Sequence, residues 1–405
     1  MKKVLAAGLS ALSALYAMDA FAGGIENKAN MNVGYLRNPS RNTEFKRPEA
    51  SFYNIAGTAY MKDGLYVEIG NQFVAKEFKH ELKATGTSYN DETFVYLYPN
   101  AEVVYKHDRW AAFLNFGIHG GGGNLKFSEG TAPTSAALLA LGGPDHELKV
   151  SSIVYGWQLG GAFAIADFIS LGAAFRLTYG TQEMTLESGS PVFGMANGGD
   201  TIGYDASAVG FSGVFGIHAK PIPPLDITGQ FTWRSKMDYE LDNVKGNLAA
   251  ALLQDKFRND ISPVLNLGLG YQIIDPLYVS ASFNYYFNNL AKMNSALGEN
   301  DYDNSWELAL GADYDIIKAL TVSLGISYAN QGSNDEANNV FNPVLDSFMI
   351  GAGVEGRPTE NLTITGGISW VKYFDQDYGS GPATLELSKP FFIFFSLGLT
   401  YRFPI

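Results

Sequence analysis

The sequence contains no cysteine, which excludes a disulfide framework and a thiolate-bound metal site. Basic residues are scarce: 28 Lys and Arg stand against 41 Asp and Glu, a formal net charge of −13. That balance excludes nucleic acid as a partner, since nucleic-acid binding wants basic stripes. The five histidines (His80, His107, His119, His146 and His218) are scattered and no serine motif accompanies them, so a rim-mounted lipase finds no support. Asp301 and Asp303 could be forced into a paired-carboxylate protease, but acids in loops are ordinarily solvated. Beyond the first 22 residues no apolar run approaches the roughly 18 residues of a membrane helix. The longest is Phe391 to Phe395. The chain is therefore expected to be no enzyme and to need no metal or cofactor.

What is present is a leader and a repeat. Lys2 and Lys3 precede an apolar stretch from Val4 to Ala17, and Ala20-Phe21-Ala22 is an A-x-A cleavage site. Residues 1–22 read as a signal peptide. Its removal leaves 26 basic and 40 acidic residues, a net −14. After it, one unit recurs about seven times: two alternating strands, a tiny turn between them, then a long polar loop. Turns fall at His107-Asp108, Asp167, Ile222 to Pro224, Asp275-Pro276, Lys318, and Pro358 to Asn361. Short turns on one side, long loops on the other and period-2 strands between them mark a transmembrane β-barrel. Soluble β-sandwiches share the alternation but do not sort their turns so strictly.

Period 2 places strands near 65–76, 94–106, 109–119, 150–165, 168–182, 206–219 and 225–238. Seven more lie near 263–274, 277–289, 305–316, 320–330, 346–356, 361–374 and 389–403. Fourteen is an even number, as a single-chain bacterial barrel requires. Leu320, Val322, Leu324, Ile326 and Tyr328 share one face, against Thr321, Ser323, Gly325 and Ser327. Leu362, Ile364, Ile368 and Trp370 likewise oppose Thr363, Thr365 and Ser369. The apolar set should face lipid. All five tryptophans (Trp110, Trp157, Trp233, Trp306, Trp370) share that parity, as interface girdles would. The chain closes with Leu397, Leu399, Tyr401 and Phe403 on one face, similar to the terminal assembly signal of outer-membrane barrels.

About forty residues before the first strand do not read as wall. They run from Asn30 through Tyr35-Leu36-Arg37-Asn38-Pro39-Ser40-Arg41 to Phe52-Tyr53-Asn54-Ile55-Ala56-Gly57, and then into Lys62 to Phe73. This succession resembles the hatch and first strand of the FadL-like long-chain fatty-acid transporters. The family's Asn-Pro-Ala hatch motif is met by Asn54 and Ala56, with Ile55 in place of its proline. The resemblance covers the mature chain in architecture and residues 30–73 in motif detail. It implies a 14-stranded antiparallel all-β transmembrane barrel holding a small N-terminal hatch inside its lumen. The expected division is 1–22 leader, 23–63 hatch and 64–405 barrel. The hatch residues singled out are Arg37, Asn38, Pro39, Arg41, Asn54, Ile55, Ala56 and Gly57.

The resemblance further implies passive uptake of a hydrophobic small molecule, such as a fatty acid, across the outer membrane of a Gram-negative-type bacterium. Substrate would be captured at extracellular loops and released sideways, where the third strand kinks, into outer-membrane lipid. Gly117 and the run Gly120-Gly121-Gly122-Gly123 fall at the end of that strand, and glycine there weakens pairing. The run can equally open the following loop. A monomer is expected.

Inward parity carries Glu68, Glu102, Lys106, Arg176, His218, Arg234, Glu307, Asp313, Glu355 and Arg402. The hatch adds Arg37, Arg41, Lys46 and Arg47, for which Glu68 and Glu102 are the nearest expected partners. Two loops carry apolar helical stretches, Thr134 to Leu141 (Leu138, Leu139, Leu141) and Asn247 to Phe257 (Leu248, Leu252, Leu253, Phe257). Together they could form a capture groove for an acyl chain, with Lys245, Lys256 or Arg258 for its head, or pack as a lid. A diffusion channel for small polar solutes and a structural or adhesive surface barrel are the alternative functions.

Overall fold

The computed structural model describes residues 32–91, 93–139, 141, 145–295, 298–300, 302–332 and 343–405. The expected leader 1–22 and the first expected hatch residues, 23–31, lie outside the described residues. Alternating sequence folds into fourteen wall strands. They are β1 Gly64–Leu82, β2 Phe94–His107, β3 Trp110–Phe127, β4 His146–Ala166, β5 Ile169–Ser188, β6 Thr201–Ile222 and β7 Leu225–Thr232. The second half comprises β8 Val264–Ile274, β9 Leu277–Tyr286, β10 Ser305–Ile317, β11 Leu320–Asn330, β12 Ser347–Gly356, β13 Leu362–Tyr373 and β14 Leu385–Phe403. Every neighbour pair is antiparallel, and β1 pairs with β14 from Leu65↔Phe403 upward, which closes the barrel. Closing the ladder joins the first and last strands, so neither is left as a sheet edge in hydrocarbon.

The faces follow the alternation. On β11, Leu324 and Ile326 are 58% and 40% exposed, whereas Thr321, Ser323 and Ser327 are buried inside the lumen. Ile364, Ile368 and Trp370 of β13 and Leu397, Leu399, Tyr401 and Phe403 of β14 likewise point out. Apolar side chains outside and polar ones inside are the inverse of a soluble protein, and lipid is the solvent that permits it.

Three differences from the sequence reading have physical causes. The strands β4, β5 and β6 have 21, 20 and 22 residues, twice the roughly 9–11 needed to cross a bilayer. Their upper halves rise past the membrane as a turret. The expected strand 225–238 stops at Thr232, and Asp238–Lys245 then pairs with the upper part of β6 in place of β7. On β14 a bulge against Glu77/Lys79 flips the parity, so Leu385 and Leu387 below the flip in sequence, and Phe392 and Phe394 above it, all face inward.

Candidate functional site

The hatch fills the end of the lumen nearest the short turns. Asn32 caps the one-turn helix α1 (Val33–Arg37) through its side chain, which accepts from the Tyr35 N–H at 3.2 Å. A second short helix, α2 (Ala50–Tyr53), leads into a 3₁₀ turn over Ile55–Tyr60. Asn54 governs that junction. Its Oδ1 accepts from the Gly57 N–H at 3.2 Å, and its Nδ2 donates to the Glu44 carbonyl at 2.9 Å and lies 3.0 Å from His218 Nδ1. Ile55 stands where the resembled motif has proline, and its N–H donates to Gln230 Oε1 at 3.0 Å. A proline there could not make that bond. Ala56 and Gly57 continue the turn, buried.

Glycines in the wall admit the hatch backbone. A Cβ on Gly311 or Gly325 would collide with Asn38 or Pro39, and on Gly216 it would meet Ile55 at 2.8 Å. Charge then fastens the contact. Arg37 lies 3.4 Å from Glu355 and 3.7 Å from Asp313, and Arg41 reaches Asp313 at 3.3 Å. Arg47 pairs with Glu355, and with Glu44 at 2.8 Å. The expected partners are thus corrected: Asp313 of β10 and Glu355 of β12 take these cations. Glu68 accepts from Thr400 and Glu102 from Asn100. Alternation marks a residue as inward but does not say which side of the barrel the hatch leans on. Lys46 lies over the Tyr278 ring at 5.3 Å. Within the hatch, burial alone would raise Glu44, but Arg47 and Arg41 outweigh it and hold the carboxyl at about 2. Burial pushes Glu49 up to about 7 against the pull of Arg41.

Above the hatch the lumen changes character. A continuous buried cluster runs from Tyr35, Leu36 and Tyr53 through Val74, Val150, Val154, Met184 and Met349 to Leu148, Leu186, Phe193 and Ile202 under the long loops. Helices α3 (Ala132–Leu139), α4 (Pro191–Asn197) and α5 (Asn247–Leu252) cover it. Leu138, Leu141 and Leu248 point down into this cluster, Leu253 packs against it, and Leu139 is exposed. Leu141 lies beyond α3 and Leu252 ends α5. Phe257 is not helical: it sits in a short strand, Lys256–Arg258, stacked on Tyr239 at 5.1 Å. Leu138, Leu141, Leu248 and Phe257 thus share one cluster, and α5 packs beside α4. Ala132, Pro133 and Ala136 of α3 face Tyr378 and Leu385 across a groove of about 840 Å³. Lys245, Lys256 and Arg258 lie elsewhere, paired with Asp205, Glu240 and Asp260.

The wall beside the apolar cluster is notched. β2 pairs with β3 only from His107↔Trp110 to Ala101↔Phe116. Beyond that point Phe94 to Asn100 have no β3 partner, and Gly117 to Phe127 pair with β4 alone. The glycine run is therefore wall and not loop. Its register against β4 slips between Ile118 and Gly120 and again before Gly123, and Gly121 has φ +89°. Asn71 of β1 supports the parted β2 by donating to the Tyr96 carbonyl at 2.9 Å and accepting from the Tyr98 N–H at 2.8 Å. The Tyr98 hydroxyl crosses the notch to donate to the Gly121 carbonyl. Its upper margin is closed by Lys76, Asp91 and Thr93, all bonded to the Asn124–Lys126 backbone or to one another. Sequence reading missed Pro99, yet a proline inside a strand signals an edge, and Pro99 sits where β2 has lost its neighbour.

A plugged fourteen-stranded barrel with an apolar upper lumen and a parted wall defines a class: outer-membrane barrels of transport. The chain belongs to one family of that class, the outer membrane protein transport proteins (OMPP1/FadL/TodX), which it matches over residues 6–378. It is 36% identical over 72 residues to a 47 kDa outer membrane protein of Pasteurella multocida, covering 18% of this chain and 17% of that one. With outer membrane protein P1 of Haemophilus influenzae it shares 25% identity over 154 residues, 35% of this chain and 33% of the relative. The matched parts thus span a third or less of those relatives. In fold it is similar to a Pseudomonas aeruginosa FadL homologue, with TM-score 0.67, 15% identity and coverage of 92% and 98%. The Pseudomonas putida toluene transporter TodX superposes with TM-score 0.68 at 16% identity, covering 92% and 98%.

Proposed function

We propose that this chain is a passive outer-membrane conduit for hydrophobic small molecules, which enter from the long-loop side and leave sideways through the β2–β3 notch. One observation carries the reading: the apolar cluster is continuous from the loop helices to the hatch, and the wall is parted beside it. The groove between α3 and Tyr378 is the capture point. A solute drawn in by its apolar surface moves along side chains of matching polarity, and the ion-paired hatch denies it an axial exit. Tyr98 acts as the latch of the lateral one. A long-chain fatty acid fits this path, and so does a monoaromatic, the cargo for which the toluene transporter TodX is named. The conduit works as a monomer opening into membrane lipid, without a cofactor or a chemical step. Residues 1–22 are its cleaved leader, 23–63 its hatch and 64–405 its barrel.

A polar-solute channel is the weaker reading, since the polar inner face is occupied by hatch contacts. The test is entry of a labelled long-chain fatty acid and of a small sugar into liposomes holding the full chain. Selective fatty-acid entry is expected; sugar entry without a fatty-acid effect would replace this reading with the polar channel.

A further inference from the structure

Two buried carboxyls face one another across the wall without a cation between them. Glu68 of β1 and Glu102 of β2 are directly opposite in the ladder, and they are 6% and 3% exposed. Thr400 donates to Glu68 at 2.7 Å, and Asn100 donates to the two oxygens of Glu102 at 3.1 and 2.9 Å. Among the described residues these neutral donors are their side-chain partners, and neither carboxyl has an ion pair. The hatch brings a third acid, Glu49 at the start of α2, near enough to repel both. Glu49 has Arg41 at 3.4 Å, but Arg41 is closer to Glu44, at 2.8 Å, and to Asp313, at 3.3 Å. The other charges around the trio are engaged elsewhere. Arg37 and Arg47 pair with Asp313, Glu355 and Glu44. Further along the same wall Lys106 is held by Asp63 at 2.9 Å, and Arg402 by Asn361 at 3.0 Å. Tyr53 of α2 is the remaining titratable neighbour, beside Glu49 and Glu102.

Directly opposite side chains on neighbouring strands stand about 5 Å apart. Two buried carboxyls at that spacing do not both ionise without a cation, so the docked form holds a proton between them. Their place in the wall gives this consequence. Glu102 pairs with Asn115 of β3, one residue before β2 and β3 part at Ala101↔Phe116. Asn115 donates to the Ser51 carbonyl of α2 at 2.8 Å, and Gln158 donates to the same carbonyl at 2.6 Å. We propose that Glu49, Glu68 and Glu102 form a proton-loaded latch, which holds α2 against the base of the notch in acid and repels it when the three ionise. Burial keeps Glu49 up at about 7. Docked, the trio binds more protons than it does apart, so docking is strongest below about 4.5 and weakens as pH rises towards about 7. The opposite side of the hatch is fastened by ion pairs to Asp313 and Glu355, so α2 is the edge that lifts. The latch operates whatever the cargo.

The chain has no cysteine, so Ser51→Cys places a single reporter thiol on α2. Its labelling by a water-soluble maleimide is measured in the full-length protein in detergent, relative to the unfolded protein at the same pH. Labelling should rise about threefold between about pH 5 and about pH 8, the size of one like-charge contact. Adding Glu49→Gln, or Glu68→Gln with Glu102→Gln, should leave it low at every pH, because hatch and wall then no longer repel. Glu187→Gln, on the outer face of β5, should leave the rise in place. The infrared carbonyl band of a protonated carboxyl should persist at neutral pH in the unlabelled protein and weaken in Glu68→Gln/Glu102→Gln. If the double variant does not give a heat-modifiable barrel, Glu68→Gln alone also ends the proton sharing and should lose the same part of the band. Labelling that is flat in the reporter protein would overturn the latch. So would an undiminished rise in folded Glu68→Gln/Glu102→Gln, or a neutral-pH spectrum without the band.

Discussion

The two halves of the lumen hold themselves together by opposite means. Near the short turns, Arg37, Arg41 and Arg47 meet Asp313, Glu355, Glu44 and Glu49, with glycines letting the hatch backbone lie against the wall. Near the long loops Leu148, Leu186 and Ile202 of the wall pack with Phe193 of α4, and the cations that reach this cluster, Lys76 and Lys389, lie over the Phe78 ring at 4.7 Å. Ion pairs are directional and costly to break one at a time, whereas apolar packing is non-directional and accepts another apolar body in exchange. A barrel that must stop polar solutes and pass hydrophobic ones needs the first property at its closed end and the second at its open end.

Breaking the charged half should have the largest effect. Glu355→Ala strips a partner from Arg37, Arg47 and Arg357. It should cost about 3–5 kcal/mol, read as a lower melting temperature, and admit sugar into liposomes. Leu148→Ala, in the apolar half, should cost about 2–4 kcal/mol through a cavity yet leave sugar excluded and fatty-acid entry intact. If the two variants gave the same permeability phenotype, the halves would not have separate tasks. Ile55→Pro removes the hydrogen bond to Gln230. It should lower stability by about 1 kcal/mol, and an unchanged melting temperature would mean the wall does not feel that contact.

The smallest effect concerns pH. Glu49, pushed up by burial to about 7, favours its protonated form when the hatch is docked. Docking should therefore weaken as pH rises from about 4.5, where the free carboxyl ionises, to about 7. Limited proteolysis of the hatch across that range should show it, and Glu49→Gln should flatten the profile.

The wall was legible in the sequence because its period of two is set residue by residue against lipid. Each of the fourteen strands overlaps a stretch that alternation marks, the seventh stopping at Thr232 short of its expected end, and the outward set from Leu324 to Trp370 is the exposed one. The site was legible only in part. That the hatch cations need acids follows from burial. That the acids are Asp313 and Glu355 depends on which wall the hatch leans on, which Gly311 and Gly325 decide through space and not through pattern. The notch was half visible, in Gly120 to Gly123, while Pro99 and Asn71 on its other side were unread. The loops were least legible, because short helices such as α4 take their form from what they cover.

Closing the notch tests the central claim most directly. From Ile118 to Gly123 β3 advances five residues while β4 advances three, Tyr155 to Ser152. Deleting Gly121 and Gly122 removes the two extra residues and keeps every side chain on its face, and Pro99→Val restores the missing N–H. Fatty-acid entry into liposomes should fall to background in this variant, with the barrel still heat-modifiable and sugar still excluded. Entry at the wild-type rate through a sealed wall would contradict the lateral route.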